Sequence, residues 1–410
     1  MKTLLKQYDL EICFVLIVLF TLIFKLPSLY FPHNEYDERI YVTLAKQIYH
    51  TGTYTVQNTP ILKELSPEVY DRPLFFQPPL FVLLSIPLIL NFGDNYAVII
   101  SWLGHILVLL SIFLFSRRLF TKNHYVILLI VALAATDPIM VFASRKIWLD
   151  SLVAGLTGIS MFVFWKASLE ERQGKKLKYF IVSGILLGAG IITKVPAVLL
   201  GPFYALIFVK YHYRLPIKRN IILLSASLLP VLAITFPWFL KTYLYYGKLI
   251  DTQTLPEELL ATNSYLRIVS NRPFYYYLKE IILLTPIILF PLYSTIKYIK
   301  GISFFTLTFW ISLFSVIGGY TYFAIANDQA YVMRYLTLIC IPFYLLLGLY
   351  LENRIQSKNM VEGQDVVTNI NLYKYKIVFL ALVLNSMTSL FYVVRYDSDA
   401  LCSFFEILFS

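Results

Sequence analysis

The feature that most limits what this chain can become is a series of apolar runs, many close to twenty residues long, recurring from Glu11 to Val394. A helix of that length crosses a hydrocarbon core about 30 Å thick. In lipid every backbone N–H and C=O must be bonded within its own segment or within a closed barrel. Nothing in these runs alternates with the period of two that a barrel strand requires. The sequence therefore predicts an all-α fold, a polytopic transmembrane helical bundle. Composition agrees, since 58% of the 410 residues are hydrophobic and 14% charged, too few charges to cover a soluble surface.

Charge placement sets the expected topology. The net charge of +11 does not point to nucleic acid, because its basic residues sit mainly in short loops between apolar runs. Lys2 and Lys6 precede the first run, which continues to Lys25-Leu26-Pro27-Ser28 without a small-residue cleavage site, so an uncleaved first span over about residues 11–30 is expected. The run Pro79–Phe92 is short and carries Pro87, which suits a re-entrant or interfacial segment. If it does not cross, the loops with Arg117, Arg118, Lys122 and with Lys210, Arg214, Lys218, Arg219 fall on the cytoplasmic side beside Arg172, Lys175, Lys176 and Lys178.

The remaining spans then read 96–115, 124–143, 150–168, 178–193, 196–210, 220–240, 279–298, 301–324, 335–351 and 376–394, about eleven with the first. Residues 1–351 form one transmembrane domain with long outer loops at 31–95 and 241–278. Residues 352–410 supply an inner loop, a last helix and a short tail. A multi-pass protein of a plasma membrane, with its N-terminus in the cytoplasm, is the expected setting. Cys13, Cys340 and Cys402 show no disulfide or metal spacing and read as small apolar fillers.

Against this apolar background the charged residues at span ends carry the chemical information. The first outer loop contains His33-Asn34-Glu35-Tyr36-Asp37-Glu38-Arg39-Ile40-Tyr41, and residues 37–50 suit a short interfacial helix with Ile40, Tyr41, Leu44 and Ile48 on one side. Asp37 and Glu38 would open it, where the helix dipole favours carboxylates; an ordinary helix cap is the bland alternative. A second acid, Asp150, follows Arg145 and Lys146 in a loop on the same face, where a local Arg–Asp pair would also explain it. Lys194 stands between two apolar runs and calls for an anionic partner, such as a lipid phosphate, unless it merely snorkels. Arg334-Tyr335 opens a span on the outer side. Asp137-Pro138 and His105 fall inside spans and read as structural before functional. Phosphate-cradling glycine loops, zinc spacings and nucleophile elbows do not occur.

Taken in order, these segments resemble the GT-C glycosyltransferases that use polyprenyl-phosphate sugars, most of all the protein mannosyltransferase and aminoarabinose transferase group (glycosyltransferase family 39-like). Asp37-Glu38-x-x-Tyr41 with Leu44-Ala45 and Gly52 is similar to that family's acidic first-loop motif. Gln77-Pro78-Pro79-Leu80 is similar to its Pro-Pro-Leu segment, where Lys or His often replaces Gln77. Pro138 through Arg145 to Asp150, Gly188 through Lys194, Pro237-Trp238 through Gly247, and Arg334-Tyr335 through Pro342 complete the series. Two departures stand out. Ile99-Ile100-Ser101 occupies a place where an Arg is common, and no large soluble domain is seen after the last span.

The resemblance implies a bundle of GT-C type and inverting transfer of a hexosyl or pentosyl group. The sugar would pass from a polyprenyl-phosphate donor to a hydroxyl of a protein, lipid or glycan acceptor on the extracytoplasmic face. It implies Asp37 as general base or orienting acid, with Glu38 and Asp150 beside it. Lys194, Arg145 and Arg334 would serve the phosphate, and Tyr41 and Tyr335 would line the substrate site. Loop 241–278 would be a mobile cover. Two acids could hold Mg²⁺ or Mn²⁺, but no essential metal is expected. A transporter or flippase of lipid-linked sugars, or a non-catalytic scaffold, is the alternative; the first predicts paired repeats and midplane charges, of which only Asp137 and His105 are present.

Overall fold

The computed structural model describes residues 2–30, 33, 36–57, 73–75, 77–120, 123–249, 273–297, 301–326, 333–361, 383 and 385–389. Among these residues the regular elements are helices. They are α1 Lys2–Ile23, α2 Tyr36–Thr51, α3 Leu80–Phe92, α4 Val98–Leu119, α5 His124–Ala135, α6 Pro138–Ser144, α7 Asp150–Leu169 and α8 Gln173–Ile191. They continue as α9 Gly201–His212, α10 Ile217–Tyr246, α11 Tyr276–Leu284, α12 Leu289–Lys297, α13 Phe304–Ala326 and α14 Cys340–Val361. Short 3₁₀ turns at Val195–Leu200 and Met333–Ile339 lead into α9 and α14.

Six of the described helical stretches are long and apolar enough to cross a membrane, or eight if each of two bent pairs is one span. The expected count of eleven is not reached among the described residues: the first span counts there only as the shorter apolar helix Leu10–Ile23, and α8, which holds the expected span 178–193, is not among the eight. The last expected span, 376–394, and the inner loop, 352–375, lie almost wholly outside them, and so does 250–272 of the outer loop. The expected single span 124–143 is broken into α5 and α6, bent by 51°, and the stretch 279–298 is bent by 99° between α11 and the segment that ends in α12. Both breaks sit immediately before a proline, Pro138 and Pro286, which lacks an N–H and drives the preceding residue out of helical geometry. At the first break Asp137 replaces the lost bond by accepting from Met140 N–H at 2.9 Å. Its other oxygen accepts from the Tyr344 hydroxyl at 2.7 Å.

The centre of the bundle is the pairing of α4 with α7, with α8 packed on α7 and α10 packed on α8. Close approach is possible because small residues face each other. A Cβ on Gly104 would lie 2.3 Å from Leu152 N, and one on Gly155 would lie 2.4 Å from Gly104 O. Hydroxyls bridge the same seams, with Ser160 donating to Ser183 O at 2.7 Å and Tyr204 donating to Ser160 Oγ at 2.9 Å. The outward faces are apolar: Leu16, Phe20 and Ile23 on α1 and Leu229, Leu232 and Phe236 on α10 are all exposed. Such a band suits lipid.

Helix α2 confirms the expected element in the first loop, but its apolar face is covered by protein. Ile40, Tyr41, Leu44 and Ala45 are buried with Phe81 and Val82 of α3 and with Ile147, Trp148 and Leu152. This second core lies at one end of the bundle and holds the segments that carry the acids.

Candidate active site

Four charged side chains from four distant segments meet at that end. Asp37, in the first turn of α2, forms an ion pair with Arg334 Nη2 from the 3₁₀ turn before α14. Asp150, at the start of α7, accepts from Lys194 Nζ at 2.5 Å and stands 3.6 Å from Arg334 Nε. Lys194 lies at the break between α8 and the following 3₁₀ turn. The local sequence explains the placement: α8 ends at Ile191 and Val195-Pro196 restarts the chain, leaving Lys194 extended between them. The backbone N–H of Leu80, opening α3, donates to Ile192 O at 3.1 Å and fixes that break against the first-loop segment.

Aromatic rings form the walls. Lys194 Nζ lies 3.8 Å from the centre of the Tyr335 ring, and the Arg334 guanidinium lies 4.3 Å from that of Trp148. Tyr320 stacks on Tyr335 with ring centres 4.9 Å apart. Tyr41 is buried against Phe81 at 5.4 Å. Burial, and then the Asp37 charge, push its hydroxyl well above the ordinary tyrosine range, so it stays neutral. Burial pushes the Lys194 ammonium below the ordinary lysine range, with Asp150 working in the opposite direction. Asp37 is the most accessible of the four, its side chain 23% exposed against 3% for Asp150. Two buried donors, Arg334 Nε–H and Trp148 Nε1–H, have no hydrogen-bond acceptor among the described residues.

Glu38, one residue beyond Asp37, does something different. Its side chain is fully buried, and Oε1 meets His33 Nδ1 at 2.6 Å and accepts from Ile147 N–H at 2.9 Å. His33 Nε2 donates to Ser28 O at 2.8 Å, so the pair is satisfied when the ring carries both protons. Burial raises the Glu38 carboxyl; the His33 hydrogen bond and charge, the Lys146 charge and the Ile147 N–H outweigh it and bring it below the usual value. Glu38 thus ties the start of α2 to the loop between α6 and α7, which carries Trp148 and Asp150.

The sequence expectations for Asp37, Asp150, Lys194, Arg334, Tyr335 and Tyr41 converge in this cluster. Asp150 pairs with Lys194 and Arg334, so the local Arg145 pair is not what holds it. Arg145 is buried in the adjoining loop. Asp137 lies with Tyr344 and with Cys340, whose thiol is 3.7 Å away, away from the cluster. Ser101, in the Ile99-Ile100-Ser101 stretch that departs from the resemblance, donates to Trp148 O at 2.7 Å and accepts from Trp148 N–H at 3.2 Å, so it fastens the same loop.

Sequence reasoning missed Lys25. It is fully buried, donating to Ser144 Oγ and to His105 Nδ1 at 2.7 Å, with His105 Nε2 donating to Ala134 O at 3.2 Å. A lysine inside an apolar run was the available signal. Among the described residues no three His, Cys, Asp or Glu side chains gather as metal ligands.

Comparisons with known proteins agree with this architecture. The family described as dolichyl-phosphate-mannose-protein mannosyltransferase matches residues 76–240, which include Asp150 and Lys194. A curated relative, the undecaprenyl phosphate-alpha-4-amino-4-deoxy-L-arabinose arabinosyl transferase of Wigglesworthia glossinidia brevipalpis, is 24% identical over 218 residues. That match takes in 53% of this chain and 37% of the relative, little more than a third of its length. Two crystal structures of ArnT from Cupriavidus metallidurans share the fold. The apo form superposes with a TM-score of 0.61 over 92% of this chain and 74% of that one, at 14% identity. The form bound to undecaprenyl phosphate gives 0.60 over 93% and 70%, also at 14% identity. The chain has the GT-C fold, and it resembles the protein mannosyltransferase and aminoarabinose transferase group of glycosyltransferases.

Proposed function

We propose that this protein is a membrane glycosyltransferase that moves a sugar from a polyprenyl-phosphate donor to an acceptor hydroxyl at the extracytoplasmic face, with inversion. The observation that carries this reading is the meeting of Asp37, Asp150, Lys194 and Arg334 at one end of the bundle. Support for the lipid phosphate comes from the ArnT structure with undecaprenyl phosphate, which shares the fold.

In this reaction the acceptor oxygen attacks the anomeric carbon on the side opposite the phosphate. The C–O bond to phosphate breaks, and the acceptor proton passes to Asp37, the most exposed acid of the cluster. The departing phosphate gains negative charge as that bond stretches. Arg334 and Lys194 would meet it, and among the described residues Arg334 Nε–H and Trp148 Nε1–H make no hydrogen bond that would compete. Asp150 holds both cations in place. Glu38 acts as a positioning residue, because its buried carboxylate is held through Oε1 by His33 and Ile147 N–H. The Tyr335, Tyr320 and Trp148 rings give sugar faces an apolar wall.

The test is transfer by the purified full-length protein in nanodiscs, supplied with a panel of polyprenyl-phosphate sugars and hydroxyl acceptors. Donor turnover in the wild type is expected, with Asp37→Asn lowering kcat about 100-fold or more while donor binding persists. Full turnover in Asp37→Asn would move the base elsewhere. Vectorial movement of intact donor without cleavage would make the protein a transporter instead.

A further inference from the structure

The opposite end of the bundle holds a cluster of basic side chains that the transfer reaction does not use. Helix α7 has twenty residues, which separates Asp150 from its other end by about 30 Å, the thickness of a hydrocarbon core. Helix α8 returns from that far end to Lys194, so Lys176 near its start lies at the opposite membrane face. His212 closes α9 and Arg219 lies in the first turn of α10 at the same level. The charges of Lys176 and Arg219 both bear on the His212 ring.

His212 is the informative residue. It is 1% exposed, wedged between the rings of Phe180 at 5.8 Å and Phe208 at 4.9 Å. Among the described residues neither of its ring nitrogens has a hydrogen-bond partner, and Arg219, which donates from Nη2 to Gln173 Oε1 at 2.7 Å, keeps a buried Nε–H without an acceptor. Buried polar groups without partners are rare, and here each unmet N–H needs the same thing, an acceptor oxygen. The surroundings specify its charge. Arg172, Lys175, Lys176, Lys178, Lys210, Arg214, Lys218 and Arg219 stand against only Glu170 and Glu171 in segments 170–178 and 210–219. Lys176 is itself 8% exposed, and the charges of Glu170 and Glu171 on one side and of Arg219 on the other bear on it.

We propose that Lys176, His212 and Arg219 form a binding site for the phosphate of an anionic phospholipid headgroup at this face. The headgroup phosphate would accept from His212 and Arg219 and offset Lys176, while the acyl chains follow the exposed apolar flank of α10, where Ile221, Leu224 and Leu228 face outward. A soluble phosphate shares the headgroup chemistry but gains nothing from that flank.

Full-length protein in detergent is titrated separately with phosphatidylglycerol, with phosphatidylcholine of the same chains, and with inorganic phosphate. Thermal unfolding and native mass spectrometry read out binding. Phosphatidylglycerol should raise Tm and remain bound, and the double variant K176Q/R219Q should weaken that binding roughly tenfold or more. The exposed pair K175Q/K178Q removes the same charge outside the site and should leave binding within about twofold of wild type. Equal losses in both double variants, equal stabilisation by phosphatidylcholine, or stabilisation by inorganic phosphate as strong as by phosphatidylglycerol would each overturn the proposal. If K176Q/R219Q does not fold, H212F, which keeps the ring volume and removes both nitrogens, must lose the lipid adduct for the site to stand.

Discussion

Single residues in this protein act through their partners, and the predictions at this scale follow from them. If Lys194 must be charged to meet a departing phosphate, transfer should fall as pH rises through its depressed pKa, earlier than for an ordinary lysine. Lys194→Arg, whose guanidinium keeps its proton, should shift that alkaline limb upward; a pH–rate profile with an unchanged limb would remove Lys194 from the role. Glu38 works in the acid direction. A carboxyl held below its unfolded value contributes stability above that value and loses it as pH falls through the folded one. Thermal unfolding of the wild type should therefore lose ground below the ordinary carboxylate range. Glu38→Gln should show a flatter acid limb, and Glu38→Ala should cost about 3 kcal/mol by stranding His33 and Ile147 N–H.

The four cluster residues were legible in the sequence because a charge at the end of an apolar run is costly and has few bland explanations. Their pairing was not. Arg334 and Asp37 are 297 positions apart, and which acid meets which cation depends on how α2 docks on α3 and how the turn before α14 folds back. His33, Lys25 and His105 were hidden for the same reason. Each acquires meaning only through a partner elsewhere in the chain.

At the scale of elements, the axis of the molecule is the glycine-lined crossing of α4 and α7. The sequence pattern marked both helices as apolar but could not show that Gly104 and Gly155 face each other, since helical phase does not say which neighbour covers a face. A side chain at either position must push two backbones apart, and Gly155→Val should cost about 1–3 kcal/mol. Because α7 begins at Asp150, transfer should fall with stability in this variant. A destabilised protein with full kcat would separate the crossing from the site. Both proline breaks fall inside runs read as single spans, and Asp137, an intramembrane acid that invites a functional reading, proves to be the cap that the first break requires.

At the scale of the whole molecule, helical class was evident from run length alone, whereas run length does not show which runs bend. Orientation is a prediction from charge: the end bearing Arg117, Lys176 and Arg219 faces the cytoplasm and the Asp37 end faces outward. In a background without native cysteines, a membrane-impermeant maleimide added to intact cells should label a cysteine placed at Lys248 and spare one at Lys218. The reverse pattern would invert the topology. The ion pairs of the cluster have a consequence for how a ligand arrives. Two carboxylates and two cations cancel, so as a unit they exert no net pull on a distant anion. In the proposed reaction, an incoming phosphate would take Arg334 and Lys194 over from the carboxylates that hold them, and the displaced Asp37 would lose its cation at the moment when a base is needed. Recognition at such a site is an exchange of partners at contact range, and its rate should depend little on the ionic strength of the medium outside.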